Sequence, residues 1–160
     1  MSMSRLVGAA GALTVAGILA VAVISHFEGL RTKAYLDSVS VPTICWGHTR
    51  GIRLGDEKTK EECKELLGED LLKYEAYMVK CLDNPAAIPD KVYVATLSLV
   101  YNIGPGNFCK SSIRRYLNQG NYRAACNRFP VFNRAGGRPL KGLTYRRGEE
   151  KKLCLEGLSE

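Results

Sequence analysis

The stretch FEGLRTKAYLDSVSVPTICWGHT, residues 27–49, decides how this chain folds. It places a carboxyl at Glu28, a second carboxyl at Asp37 after eight residues, and a hydroxyl at Thr43 after five more. Phe27 and Leu30 among polar neighbours suit a short helix or turn that carries Glu28. From Leu36 to Arg53 the residues turn to Val, Thr, Ile, Trp, Gly and Pro, which predicts short strands joined by tight turns. Asp37 and Thr43 fall on this small sheet.

Downstream the pattern becomes helical. Thr59 and Glu62 form a capping box, each side chain covering an exposed backbone donor of the other. Cys63, Leu66, Leu67, Leu71, Tyr74 and Met78 then recur at helical spacing, predicting a helix over about 60–80 that joins two lobes. The run VYVATLSLVY, 92–101, is apolar enough for a buried strand or a helix. Pro89 and Asp90 ahead of it supply a helix start. Residues 102–107 are expected to turn. Ser111 opens a helix that ends at Gly120, Asn121 opens one that ends at Pro130, residues 135–137 form a loop, and Leu143–Leu155 form the last helix. The fold class is α+β: a sheet-bearing lobe first, then a helical lobe.

Upstream, residues 6–24 read LVGAAGALTVAGILAVAVI without a charge. A helix of about 20 residues spans roughly the 30 Å of a bilayer core. Its nine Leu, Val and Ile residues favour insertion by only about 3 to 5 kcal/mol in total, and three glycines and Thr14 oppose them. Such a segment enters a membrane and also leaves it. A cleavable signal peptide would use Arg5 as its basic flank and Ala20-Val21-Ala22 as its cleavage motif. A permanent anchor and an uncleaved, reversible anchor are the other readings. After exit the segment must find cover, most simply by packing on the small lobe as a helix that fixes Glu28.

Length and composition fit one two-lobed domain: 160 residues, 46% hydrophobic and 24% charged. The net charge of +7 favours encounter with polyanions, but the basic residues form no run and nucleic acid is not indicated. Six cysteines, at 45, 63, 81, 109, 126 and 154, lack CxxC spacing and are accompanied by only two histidines. Disulfides fit better than a metal site, and no cofactor is implied. Six cysteines allow 15 pairings; Cys45–Cys63, Cys81–Cys109 and Cys126–Cys154 are preferred because each closes a modest loop.

A carboxyl that protonates a leaving oxygen and a carboxylate that directs water are the needs of glycosidic cleavage. The stretch 27–49, with YNIGPGNF (101–108) and GLTYRR (142–147), resembles the phage lysozymes of glycoside hydrolase family 24. The resemblance covers residues 26–156. It implies a lysozyme-like fold, a monomer, and cleavage of peptidoglycan between N-acetylmuramic acid and N-acetylglucosamine with inversion. Glu28 would be the general acid, Asp37 the ionised partner and Thr43 the group that holds water. Asn102 matches an amide position that lines the cleft. Arg146 and Arg147 would either contact substrate at the far lip or pair with Glu149 and Glu150. His48 is expected beneath the sheet as a structural residue, and Trp46 in the core or cleft wall. Cys45 and His48 stand close enough to suggest a cysteine peptidase, but a strand cysteine is better explained by a disulfide.

The N-terminal segment resembles that of signal-anchor-release endolysins of phages infecting Gram-negative bacteria. The division implied is a release segment, 1–25, and a catalytic domain, 26–160. The host Sec machinery would export the chain, residues 6–25 would hold it in the inner membrane facing the periplasm, and lysis would follow release into the periplasm. Some such proteins carry a cysteine in the anchor that later attacks a disulfide. Residues 1–44 here contain no cysteine, so that exchange is excluded. Non-enzymatic wall binding is the alternative to catalysis.

Overall fold

The computed structural model describes residues 3–159. Helix α1, Val15–Glu28, begins where Thr14 stands extended and its hydroxyl accepts the Gly17 N–H. It ends at Gly29, whose φ of 65° turns the chain away from the helix. Residues 6–14 do not extend α1 backwards. Val7 bridges Leu13, the Gly8 N–H donates to the Ala12 carbonyl, and Gly11 adopts a φ of 75°. Thr14 competes as a cap and the glycines cost the helix about 1 kcal/mol each, so the uncharged stretch folds as a reversed strap followed by a helix. Among the described residues, no helix is long and apolar enough to cross a membrane.

Strands β1, Arg31–Leu36, and β2, Pro42–Cys45, pair antiparallel, with Tyr35 opposite Thr43 and Leu36 opposite Pro42. β1 starts before the compositional change at Leu36 because its outer residues are exposed and polar and carry no apolar alternation. α2, Lys60–Val79, has the capping box in place and turns Cys63, Leu67, Leu71, Glu75 and Met78 inward. α3, Asp90–Ile103, is buried without a break from Val92 to Val100. A helix covered on all sides shows no amphipathic period, which is why its sequence also fits a strand.

The turn expected over 102–107 contracts to one residue, Gly104 at φ 86°, and Pro105 opens α4, Pro105–Cys109. Proline suits that first helical position because its missing N–H has no intrahelical partner there. α5, Ser112–Asn118, and α6, Tyr122–Arg128, are capped by Ser111 and Asn121. The 135–137 loop is a tight hairpin of β3, Arg134–Ala135, and β4, Arg138–Pro139. α7, Lys141–Glu156, closes the body against α3.

α1 packs on α3 and α2 rather than on the sheet, placing Ala16, Ala20 and Ile24 in the common core. Disulfides join Cys45 to Cys63, Cys81 to Cys109 and Cys126 to Cys154. They tie β2 to α2, the end of α2 to α4, and α6 to α7. In the chain-entropy picture each stabilises the fold by roughly 3 kcal/mol.

Candidate active site

Glu28 is the last residue of α1, and its side chain is 21% exposed. Arg146 of α7 donates from Nη1 to Glu28 Oε1 at 2.6 Å. The same guanidinium donates from Nε to Glu150 Oε1 at 3.0 Å and from Nη2 to the Ser98 carbonyl at 3.1 Å. Its carbon lies 4.9 Å from the Phe27 ring centre. The Ser98 hydroxyl donates to Glu150 Oε1 at 2.6 Å. One oxygen of Glu28 is therefore fixed by a network that spans α1, α3 and α7.

The other oxygen faces the sheet. A Cβ at Gly47 would lie 3.8 Å from Glu28 Oε2, so the turn after β2 passes directly beside the carboxyl. Gly47 sits at φ 89°, a left-handed conformation that side chains rarely adopt. The Tyr101 hydroxyl donates to the Trp46 carbonyl at 2.8 Å and holds this turn in place. Burial, and then the charges of Asp70 and Glu28, push that hydroxyl far above its ordinary range. Tyr101 thus remains a donor across physiological pH.

Asp37 and Thr43 are organised by a single residue. Asp37 Oδ1 accepts the N–H groups of Val39 and Val41, each at 2.9 Å, and the Thr43 hydroxyl donates to the Val41 carbonyl at 2.9 Å. Asp37 is partly exposed and Thr43 is 3% exposed. Oδ2 of Asp37 and the lone pairs of the Thr43 hydroxyl have no partner among the described residues. Ser40 takes the left-handed φ of 63° that closes the β1–β2 turn.

Asn102 closes the far wall. Its Oδ1 accepts from Arg147 Nη2 at 2.6 Å, which turns the amide NH2 toward the open side. It lines a cavity of about 560 Å³ with Glu28, Phe27, Leu143 and Tyr145, and a neighbouring cavity of about 730 Å³ with Ser38, Lys110 and Arg134. The two spaces share Asn102, Leu140 and Leu143, so one wall carries Glu28 at one end and Ser38, next to Asp37 in the chain, at the other; Asp37 and Thr43 themselves line neither.

The structure gives both arginines internal partners. Arg146 is 5% exposed and Arg147 fully buried. Arg147 Nε approaches Glu150 Oε2 at 2.8 Å, close as an ion pair although off the line of a hydrogen bond. Burial pushes the Glu150 carboxyl up and the Arg147 guanidinium down, and the opposite charge of each resists the other's shift. The pairing partner is Glu150, three and four residues along α7, while Glu149 faces outward. Sequence reasoning did not find the bond from Arg146 to Glu28. The signal available was Ser98, a hydroxyl inside an apolar helix that, unlike Thr96 with its bond to the Val92 carbonyl, looks outside its own helix for polar company.

His48 is 5% exposed, with Nδ1 at 2.8 Å from Asp70 Oδ2 and Nε2 at 3.1 Å from the Arg50 carbonyl. Both ring nitrogens are engaged within the fold. Trp46 is buried in the core. Cys45 is bonded to Cys63, so it offers no thiol nucleophile. Among the described residues, no three His, Cys, Asp or Glu side chains are grouped to hold a metal.

A short sheet and a helical body, with a buttressed carboxyl at a helix end between them, define a lysozyme-type hydrolase. The phage lysozyme family profile matches residues 25–150, and the chain belongs to that family. It is 38% identical over 165 residues to the SAR-endolysin of Enterobacteria phage P21, covering 98% of this chain and 97% of that one. The crystal structure of the active form of P1 phage endolysin Lyz superposes with a TM-score of 0.79 at 28% identity, covering 88% of this chain and 84% of that one. The secreted inactive form of the same P1 protein superposes with a TM-score of only 0.53, over 68% of this chain and 76% of that one. The fold seen here is the one that the active form shares.

Proposed function

We propose that this lysozyme cleaves the β-1,4 bond between N-acetylmuramic acid and N-acetylglucosamine, and that its N-terminal segment governs when it does so. Glu28 delivers the proton to the leaving oxygen, held through Oε1 by Arg146. Asp37 stabilises the positive charge that develops on the sugar, and its free Oδ2 with the Thr43 oxygen directs the attacking water. Asn102 presents its NH2 to the glycan. Arg146 and Arg147 act as positioning residues, the first on Glu28 and the second on Asn102. Glu28→Gln should lower hydrolysis by about 10³-fold with an unchanged fold; retained hydrolysis sinks the assignment. Water attack from the opposite face makes the reaction inverting, and proton NMR of the first anomer released decides this point.

The observation that carries the gating is the position of Glu28 at the end of α1, whose residues 15–25 belong to the uncharged stretch. While residues 6–25 span the host inner membrane after Sec export, Glu28 is pinned within about 6 Å of the lipid surface. It cannot then stand beside Gly47 and Arg146. Release into the periplasm lets α1 pack and completes the site. The likeness to the active rather than the inactive P1 form supports this reading.

A chain lacking residues 1–25 should lose most of its activity although Glu28, Asp37 and Thr43 all remain. Full activity would reduce the segment to an export device. A secreted form cleaved after Ala22 is the second reading, and it would strip Leu6, Ala16 and Ala20 from the core. Intact mass of the periplasmic protein separates the two.

A further inference from the structure

We infer that the seam between α2 and α3 is a docking site for the chain's own N-terminus, with the guanidinium of Arg5 as the group it recognises. Resting on the release reading above, this site is the latch that holds the released state. Arg5 is the one charged residue that precedes the uncharged stretch, and it lies outside the region matched by the family profile.

Its guanidinium meets a site already built by the body. Nη1 donates to the Pro85 carbonyl at 2.8 Å and to the Ile88 carbonyl at 2.7 Å, and Nη2 pairs with Asp90. The carbon of the group stacks 4.3 Å from the centre of the Tyr93 ring. Beside it the Glu75 carboxylate, 3% exposed, takes the Arg5 backbone N–H at 2.8 Å and the Ser4 hydroxyl at 2.5 Å. Tyr93 donates to the same carboxylate at 2.7 Å. Leu6, the next residue, is 2% exposed and belongs to the core. A planar cation between two carbonyls, a carboxylate and an aromatic face is a donor pattern that arginine satisfies and lysine does not.

The latch is wired to the catalytic helix. The Arg5 carbonyl accepts the Thr14 hydroxyl at 2.5 Å, and the Leu6 carbonyl accepts the Thr14 N–H at 2.9 Å. That Thr14 hydroxyl caps α1, at whose far end Glu28 stands. While residues 6–25 cross the membrane, Arg5 lies on the opposite side from α2 and α3. The latch is then open, and Glu75 keeps only Tyr93 as a partner. Drawing Arg5 through and seating it converts a reversible exit into a stable one.

The test uses the full-length released protein and trypsin, which cuts after Arg5 when that bond is accessible. In the wild type the bond should be protected. Asp90→Asn, at a site whose side chain is 56% exposed, should speed cutting after Arg5 by about tenfold or more, with other sites unchanged. Arg5→Lys should do the same, and Glu75→Gln more strongly. Peptidoglycan hydrolysis by each released variant should fall in parallel. Equal protection in wild type and variants, or rapid cutting in the wild type, overturns the latch. Neither result bears on the release reading, which fails separately if membrane-held and released wild type are equally active.

Discussion

Replacing Gly17 by alanine should loosen the fold even though alanine is the better helix former. Gly17 lies in α1 where the strap crosses it. A methyl there would meet the Leu6 carbonyl oxygen at 2.1 Å, the Leu6 carbonyl carbon at 3.0 Å and Leu13 Cδ2 at 3.1 Å. Non-bonded heavy atoms settle near 3.5 Å, so the Leu6 backbone must retreat by more than about 1 Å. That backbone accepts from Thr14, and its side chain is 2% exposed. Losing one such hydrogen bond costs about 1 kcal/mol. Partly uncovering Leu6 costs about 2 more. The helix gains about 1 kcal/mol from Gly→Ala.

The net loss is about 2 kcal/mol, which for a chain of this size lowers Tm by roughly 4–8 °C. Gly68→Ala is the control. Gly68 lies in α2 with nothing near its missing Cβ, so only the helix gain applies and Tm should rise. Calorimetry on both purified proteins reads the difference. A Tm for Gly17→Ala equal to or above wild type would refute the close crossing.

Arg146→Gln should reduce kcat by tenfold or more with little change in KM, and should cost about 3 kcal/mol because Glu150 loses a buried partner. Asn102→Ala should raise KM several-fold and lower stability by about 2 kcal/mol, since it also removes the acceptor of the bond from buried Arg147. Asp70→Ala should destabilise by about 1–2 kcal/mol by removing the hydrogen-bond partner of buried His48, without a change in kcat per folded molecule. Stability should fall above pH about 10, where Tyr93 and Tyr101 ionise only in the unfolded chain. Burial pushes both upward, reinforced by Glu75 for Tyr93 and by Asp70 and Glu28 for Tyr101. Each contributes a slope of about 1.4 kcal/mol per pH unit, which Tyr→Phe should remove.

Where a side chain's role depends on its neighbours in sequence, it was legible. The Thr59 and Glu62 box and the caps at Ser111 and Asn121 stand as their spacing predicts. Of the α2 face, Cys63, Leu67, Leu71 and Met78 are buried, while Leu66 and Tyr74 are half-buried and Glu75 turns inward instead. The resemblance to phage lysozymes rested on short contiguous motifs over residues 26–156, and the family match covers residues 25–150. Roles set across the fold stayed hidden. Arg146 reaches Glu28 over 118 residues, and no local pattern encodes that contact. The strap was illegible for a different reason: the segment is uncharged and apolar throughout, which erases the periodicity that would mark its folded form. Gly17, counted as a weakness for insertion, is needed where Leu6 crosses α1. Arg5, a flanking charge in the sequence, makes bonds to Glu75, Pro85, Ile88 and Asp90 just ahead of the strap.

The most direct measurement compares hydrolysis of soluble peptidoglycan fragments by the same full-length chain held in membrane vesicles and after release, with Glu28→Gln as the blank. If the docked segment places Glu28, the membrane-held protein should match the blank and the released protein should turn over. Equal turnover in both states would contradict the dependence of Glu28 on its anchor.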